Sequence, residues 1–362
     1  MTRLHPLTDL DPARFDRPDL LKQLNVASRR LAELKGVAAS MPNQGILIGT
    51  LALQEAKDSS EIENIVTTHD ELFRDADLAD APESAAAKEV ARCRQALGVG
   101  FGAVRDTGLL TNNHILDIQA TLEKNRAGFR VLPGTALKRD DGETVYTPPQ
   151  NPDDIVELMR DLERFINEDA PFDADPLVKM ALAHHQFESI HPFYDGNGRT
   201  GRIINVLYLV KQGLLDSPVL YLSRHIVRTK AEYYRLLQDV RERDAWEDWV
   251  CYMLVAVERT AQDGIATIQA IKAQLLDYKH RIRAKHHFYS QDLINNLFSH
   301  PYTRIEFIER DLGVSRVTAT RYLDKLAEDG FLFKRKIGRA NYYVNPPLYR
   351  ILAGEAPPDM TL

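Results

Sequence analysis

The chain has 362 residues, a net charge of −6, 44% apolar and 27% charged residues, and two cysteines, Cys93 and Cys251. That is length for two or three domains at an ordinary soluble composition, with no whole-chain signature of nucleic-acid or membrane binding. Apolar runs such as 250–257 are too short to span a bilayer, no CxxC is present, and the first 18 residues carry no signal-peptide core, so a reduced, cytoplasmic protein without a membrane partner is expected.

Leu20, Leu24, Ala27, Leu31 and Leu34 step by four and three, one face of an amphipathic helix ending at or near Gly36. Residues 41–45 read as a loop, and Ile46 to Glu55 begins a second helix. It runs into Asp58-Ser59-Ser60-Glu61-Ile62-Glu63-Asn64, where Ser59 and Glu63 are four apart and share a face. By itself this is an ordinary acidic helix. Residues 65–128 continue helical, with Ala85 to Leu97 a good helix former and Ile115, Ile118 and Leu122 inward between Asn112 and Glu123. His114 reads as a surface or core histidine. From Phe129 to Pro149 the character changes: short extended runs flank Arg139-Asp140-Asp141-Gly142, the first hairpin signal. Pro152 to Asn167 is a helix with Ile155, Leu158, Met159, Leu162 and Phe165 on one side, and another starts near Pro176.

That helix, striped by Leu177, Met180, Ala181, His184, Phe187 and Ile190, leads into His191–Arg202, reading HPFYDGNGRTGR, and an apolar run from Ile203 to Val210 follows. The pattern is helix, tight loop, helix. Gly196, Gly198 and Gly201 let the backbone turn sharply, and with Asn197 and Thr200 they form a nest of N–H groups at a helix N-terminus that holds phosphate. Arg199 and Arg202 add fixed donors for further phosphate oxygens. Asp195 is a hard oxygen ligand suited to Mg²⁺ on those phosphates, and a neutral His191 can take a proton near pH 7. The sum is a nucleotide site with a base beside it. His184 lies on the apolar stripe, and no second cluster joins it and His185, so both read as core rather than metal ligands.

HPFYDGNGRTGR resembles the complete core motif of the Fic family, and no motif position departs from it. The resemblance implies a mostly helical domain that transfers AMP from ATP to a protein hydroxyl. His191 would be the general base, Phe193 the anchor of the loop, and Asp195 the Mg²⁺ holder. Gly196, Asn197 and Gly198 would form the anion hole, and Arg199 and Arg202 would grip the outer phosphates. The segment from Ser59 to Asn64 resembles the family's inhibitory motif, [ST]-x-x-x-E-[GN]. It makes Glu63, with Ser59, a brake that pairs with Arg202 in the space of the ATP γ-phosphate. The hairpin resembles the flap, whose edge holds the target as an added strand. Gln186-Phe187-Glu188 resembles the family's lead-in. Tyr234, in the run Ala231 to Leu237, is the candidate for the adenine pocket, with core packing its alternative. The likeness covers roughly residues 15–265. Transfer of another group, and removal of AMP by the same site, remain alternatives.

Trp246, Trp249, Tyr252 and Met253 begin a helix reaching about Lys285. Between Arg281 and Asn345 twelve Lys/Arg stand against seven Asp/Glu. Helices at 292–298, 304–310 and 316–328, the last N-capped by Ser315, then two strands around Ile337-Gly338-Arg339, make a winged helix. Arg316, Arg321, Lys334, Arg335, Lys336 and Arg339 are its candidate DNA contacts, with a solvated face or dimerisation as the alternative; a DNA-binding regulator that only senses nucleotide is the second functional reading. The expected architecture is mainly α: an N-terminal helical region carrying the inhibitory helix (1–110), a Fic core with a β-hairpin flap (111–285) and a C-terminal winged-helix domain (286–362). A homodimer is the expected assembly.

Overall fold

The computed structural model describes residues 4–75, 84–139, 142–170, 172–337, 340–355 and 357. After two short turns of 3-10 helix, α1 (Pro18–Ala39) starts on a proline, whose missing N–H costs nothing at a first helical position. It runs three residues past Gly36. A mid-helix glycine costs about 1 kcal/mol, and burial of Leu20, Ala27, Leu31, Leu34 and Ala38 outweighs that. This face lies along α11 (Trp246–Lys285), a 40-residue helix roughly 60 Å long that forms the spine.

Helix α2 (Gln44–Ile62) is capped by Asn43, whose side chain accepts from Gly45 N at 2.9 Å. It is largely apolar from Ile46 to Leu53 and buried over most of its surface, its polar second half included, and is accordingly a core helix. α4 (Ala85–Thr107), α8 (Asn197–Lys211) and α9 (Ser223–Arg228) pack against it. The short α3 (His69–Asp75) follows α2, and α5 (Asn112–Glu123) packs on α4 and α8. The approach is close at Gly100, where a Cβ would lie 2.4 Å from Leu207 Cδ1 and 2.8 Å from Ile118 Cδ1. α6 (Pro152–Asn167) packs against α7 (Pro176–Ile190), and α7 against α8. α10 (Lys230–Arg243) precedes the spine. Two strands, β1 (Leu137–Lys138) and β2 (Thr144–Tyr146), form an antiparallel hairpin with Leu137 opposite Tyr146. Asp140 and Asp141, the predicted centre of its turn, lie outside the described residues.

The C-terminal part runs α12 (Gln291–Ser299), β3 (Tyr302–Thr303), α13 (Ile305–Leu312), α14 (Arg316–Glu328), β4 (Phe333–Ile337), β5 (Ala340–Val344) and α15 (Pro346–Ala353). Gly313 ends α13 in the left-handed region, Ser315 caps α14 by accepting from Thr318 N, and the antiparallel sheet has the order β3-β5-β4. This is the winged-helix order. The domain sits on α2 and α3. The Gln54 amide of α2 donates to the Leu352 carbonyl, Arg335 Nη1 reaches Asp70 of α3 at 2.6 Å, and the Tyr302 hydroxyl donates to the same carboxylate. The Phe73 ring meets Tyr349 edge-on at 5.4 Å. One buried apolar cluster runs through all three parts of the chain. Among the described residues no helix is long and apolar enough to cross a membrane.

Phe73→Ala should cost about 3 kcal/mol in urea unfolding. Because the ring couples α3 to α15, amide exchange should accelerate in both helices. Acceleration confined to α3 would show that the contact does not link the parts.

Candidate active site

Asp175 caps α7 by accepting from Leu177 N at 2.8 Å, and Pro176 takes its first position. The helix is buried along its whole length, so its exit point is fixed by packing. His184 and His185 belong to that core. His184 Nε2 meets the Tyr233 hydroxyl at 2.9 Å and stacks on Trp249, while His185 Nε2 meets the Leu237 carbonyl at 3.1 Å. Burial, then the nearby Arg202, holds the His184 imidazole down at about 3, so it is neutral. No group of three metal-ligating side chains occurs among the described residues.

α7 ends at His191, whose N–H donates to Phe187 O at 2.9 Å and whose φ of 49° is left-handed. Burial, followed by the charges of Arg130 and Arg241, lowers its imidazole to about 4. A neutral ring at pH 7 is what a proton acceptor requires. Phe193 is fully buried against Phe129 and Phe187, with ring centroids 5.4 and 6.3 Å away. The Asn197 amide accepts from Phe193 N and donates to Phe193 O, both at 2.9 Å. Its side chain therefore locks the loop, and its backbone N–H is the group left to face a ligand. Gly196, at φ 77°, is the N-cap of α8 and offers no side chain to the first-turn amides, which leaves them to an anion. Asp195 is exposed and accepts from Gly196 N at 2.7 Å. Thr200 is fully buried, and Gly201 faces α7, where a Cβ would lie 2.7 Å from Glu188 Oε1. Both positions, expected to border the nucleotide, lie in the packed contact between α7 and α8.

Arg202 is buried and answered from α2. Its Nε donates to Ser59 Oγ at 2.8 Å, and Nη2 donates to Ser59 O at 2.7 Å and to Glu63 Oε1 at 2.8 Å. Glu63 caps the end of α2, and the left-handed Asn64 (φ 63°) turns the chain away directly after it. Asn64 is itself held by Lys230 Nζ at 2.9 Å. Burial acts to raise the Glu63 carboxyl, but Arg202, then Arg199 and Lys230, bring it below the usual carboxylate range. The carboxylate overlies the glycine loop: a Cβ on Gly198 would lie 2.2 Å from Glu63 Oε1. Arg199, expected to grip phosphate, is buried between Glu89 (2.9 Å) and Glu123 (2.8 Å). Sequence reasoning missed both partners, since each lies more than seventy positions away in ordinary helical sequence. It also missed Glu188 as a site group, a buried carboxyl beside Arg202 pushed up to about 7 by burial. Tyr234 is 46% exposed and is the neighbour of the buried Tyr233, so it is not a core side chain. It lies within electrostatic reach of Glu63 and Arg202.

The hairpin is tied to this centre. The Tyr146 hydroxyl donates to Ser189 O at 3.0 Å, the Arg241 guanidinium covers its ring at 4.0 Å, and Gln238 Nε2 donates to Val145 O at 3.2 Å. Three of the six candidate basic side chains of the C-terminal domain are paired with carboxylates. Arg316 pairs with Glu306 (2.9 Å) and Glu309 (3.5 Å), Lys334 with Asp324 (2.6 Å) and Arg335 with Asp70 (2.6 Å). Arg339 lies outside the described residues.

Residues 21–102 match the family model described as Fic/DOC family N-terminal, residues 109–209 that of the Fic/DOC family, and residues 275–348 that of the Protein adenylyltransferase SoFic-like, C-terminal domain. Protein adenylyltransferase fic-1 of Caenorhabditis elegans is 35% identical over 129 residues, 36% of this chain and 24% of that protein. Protein adenylyltransferase Fic of Aedes aegypti is 34% identical over 158 residues, 42% of this chain and 30% of that protein. The chain spans about a quarter of the length of the curated relatives it matches. A solved Fic family protein from Desulfovibrio desulfuricans G20 has a TM-score of 0.57 at 20% identity, covering 91% of this chain and 96% of that one. Fic-1 from C. elegans gives 0.53 at 21% identity, covering 68% and 71%. At such identity the likeness is one of fold.

Two turns before Glu63, Glu55 of α2 accepts from the Ser223 hydroxyl and backbone N–H of α9, and burial pushes its carboxyl up from 4.5 to about 8. The folded protein thus keeps a proton that the unfolded chain releases, and stability is lost as pH rises from 4.5 through about 8. Glu55→Gln removes this loss. Its melting temperature relative to the parent should climb across that window and level off above it. A pH-independent difference would contradict the burial of an ionisable proton here.

Proposed function

Because the chain belongs to the Fic/DOC family, we propose that it is an autoinhibited protein adenylyltransferase, moving AMP from ATP to a Ser, Thr or Tyr hydroxyl of a target protein or of itself. The observation that carries this reading is the Glu63 carboxylate on Arg202, directly over Gly198. A site that draws a carboxylate onto a buried guanidinium beside a helix N-terminus is an oxyanion site, and a triphosphate tail offers the same charge.

In the reaction, neutral His191 takes the proton of the target hydroxyl, and that oxygen attacks the α-phosphorus of ATP. The bond from the α-phosphorus to its bridging oxygen breaks, and pyrophosphate leaves with the electron pair. The first-turn amides of α8 receive the charge growing on the phosphoryl oxygens. Arg202 holds the terminal phosphate once Glu63 has moved, and Arg199 reaches phosphate only by exchanging Glu89 or Glu123 for it. Tyr234 borders the adenine. The hairpin presents the target segment as an added strand. Asp195, an exposed carboxylate beside the α8 N-terminus, suits Mg²⁺, which takes one or two carboxylates and completes its shell from phosphate and water. Bound there, the ion would neutralise charge on the leaving pyrophosphate. Autoinhibition follows because Glu63 and the γ-phosphate compete for one guanidinium. The second reading, a DNA-binding regulator, has against it the ion pairs that already occupy Arg316, Lys334 and Arg335.

Glu63→Gly protein incubated with ATP and Mg²⁺ should gain the mass of AMP at least about tenfold faster than the parent, equivalent to 1.4 kcal/mol or more of relieved competition. His191→Ala in the same background should gain none. Equal rates for parent and Glu63→Gly would overturn the brake. Transfer that persists without His191 would overturn its role as base.

A further inference from the structure

His191 has an unusual weakness for a general base. Its Nδ1 is buried without a side-chain partner among the described residues, and the group that engages the ring is the backbone at Glu188. Among the described residues no carboxylate orients the ring in the way a triad acid orients its histidine. The aim of the imidazole must therefore come through the main chain, and that main chain is in the left-handed region, which disfavours a residue with a Cβ by about 1–2 kcal/mol. Something has to hold it.

That something is Arg130, a residue to which sequence reasoning assigned nothing. It is only 1% exposed, and its hydrogen bonds run to carbonyls rather than to a carboxylate. Nε donates to His191 O at 2.9 Å, and Nη2 donates to Ile190 O at 3.3 Å and to Pro149 O. The Arg130 backbone N–H donates to Pro192 O at 2.8 Å. Ile190 and His191 close α7, so their carbonyls are the orphan acceptors at the negative end of its dipole. A guanidinium buried without a counter-ion is costly, and converging carbonyl dipoles at a helix C-terminus are what make it tolerable. One residue thus grips three successive carbonyls around the base. The same guanidinium grips Pro149, at the far end of the segment that contains the hairpin.

We propose that Arg130 is the positioning residue of this site, fixing the His191 backbone and tying the base to the foot of the hairpin that presents the target. The proposal rests on the reading of His191 as the base. The charged groups facing His191 are Arg130 from the hairpin segment, Arg241 from α10 and Glu63 from the end of α2. The two arginines favour the neutral ring and Glu63 the charged one.

The test uses the full chain carrying Glu63→Gly, with Arg130→Met, Arg130→Lys and, as a control, Lys179→Met. Lys179 is another buried cation; it bonds the Glu168 carbonyl at 2.9 Å and has no part in the site. The first readout needs no turnover: NMR titration of the His191 ring and exchange of its amide. Arg130→Met should raise the ring midpoint by about one pH unit over that of the Arg130-intact Glu63→Gly protein. Both Arg130 variants should speed exchange of the His191 amide at least about tenfold through loss of the carbonyl clamp. Arg130→Lys keeps the charge and loses the fork, so its midpoint should stay near that of the parent. The second readout is AMP transfer. The kcat should fall about a hundredfold for Met and about tenfold for Lys, with KM for ATP unchanged and partial recovery on adding guanidinium to Arg130→Met. Lys179→Met should lower stability and move none of these. Should the Met variant not fold, the Lys variant's amide exchange decides. An unchanged His191 amide and ring in a folded Arg130 variant would overturn the proposal whether or not the protein transfers AMP. Failure of the Arg130-intact protein to transfer AMP would instead fall on the functional reading.

Discussion

A guanidinium that is buried has to be answered, and Arg202 is answered by a different helix from its own. Ser59 and Glu63 supply the acceptors, so the end of α2 and the start of α8 form one electrostatic unit. Leaving Arg202 unpaired would cost several kcal/mol, so α2 can withdraw only when another anion takes its place. On the proposed function, that exchange would make one arginine both a structural tie and a nucleotide sensor, the brake and the site being one contact without and with ligand.

The surrounding fold keeps that contact in register. The α7–loop–α8 unit is rigid because Phe193 is buried, the Asn197 amide closes the loop on itself, and Gly201 lets the two helices approach. α2 is rigid because it is a core helix. Its outer side is covered by the winged-helix domain, through Gln54, Asp70 and Phe73. The C-terminal domain therefore packs on the helix that carries Ser59 and leads to Glu63. Any ligand that displaced it would act on α2 by the shortest mechanical route the fold offers.

Local features were legible in the sequence. The stripe from Ile155 to Phe165, the aromatic start of the 40-residue spine and the Ser315 cap each depend on neighbours within a few positions, and each element stands at the expected residues. The helix–loop–helix around His191 was legible because its glycines and arginines are contiguous. Non-local answers were not. Nothing near Arg199 in sequence announces Glu89 or Glu123, and nothing near Arg130 announces the three carbonyls it holds. Gly36 looked like a helix end because propensity is local, while the packing of α1 along α11 that overrides it is not. The excess of Lys and Arg after residue 281 suggested a nucleic-acid face. Charge counting cannot see that Arg335 is turned inward to Asp70, or that Arg316 and Lys334 have carboxylates at hand.

The central claim is that the carboxylate on Arg202 stands where a triphosphate tail belongs. A crystal structure of Glu63→Gly protein with bound ATP tests it most directly. The account requires the terminal phosphate on Arg202, phosphate oxygens on the amides of Gly198 and Arg199, and the α-phosphorus facing the His191 ring. ATP lodged away from α8, with the Arg202 guanidinium still held by Ser59 alone, would contradict it.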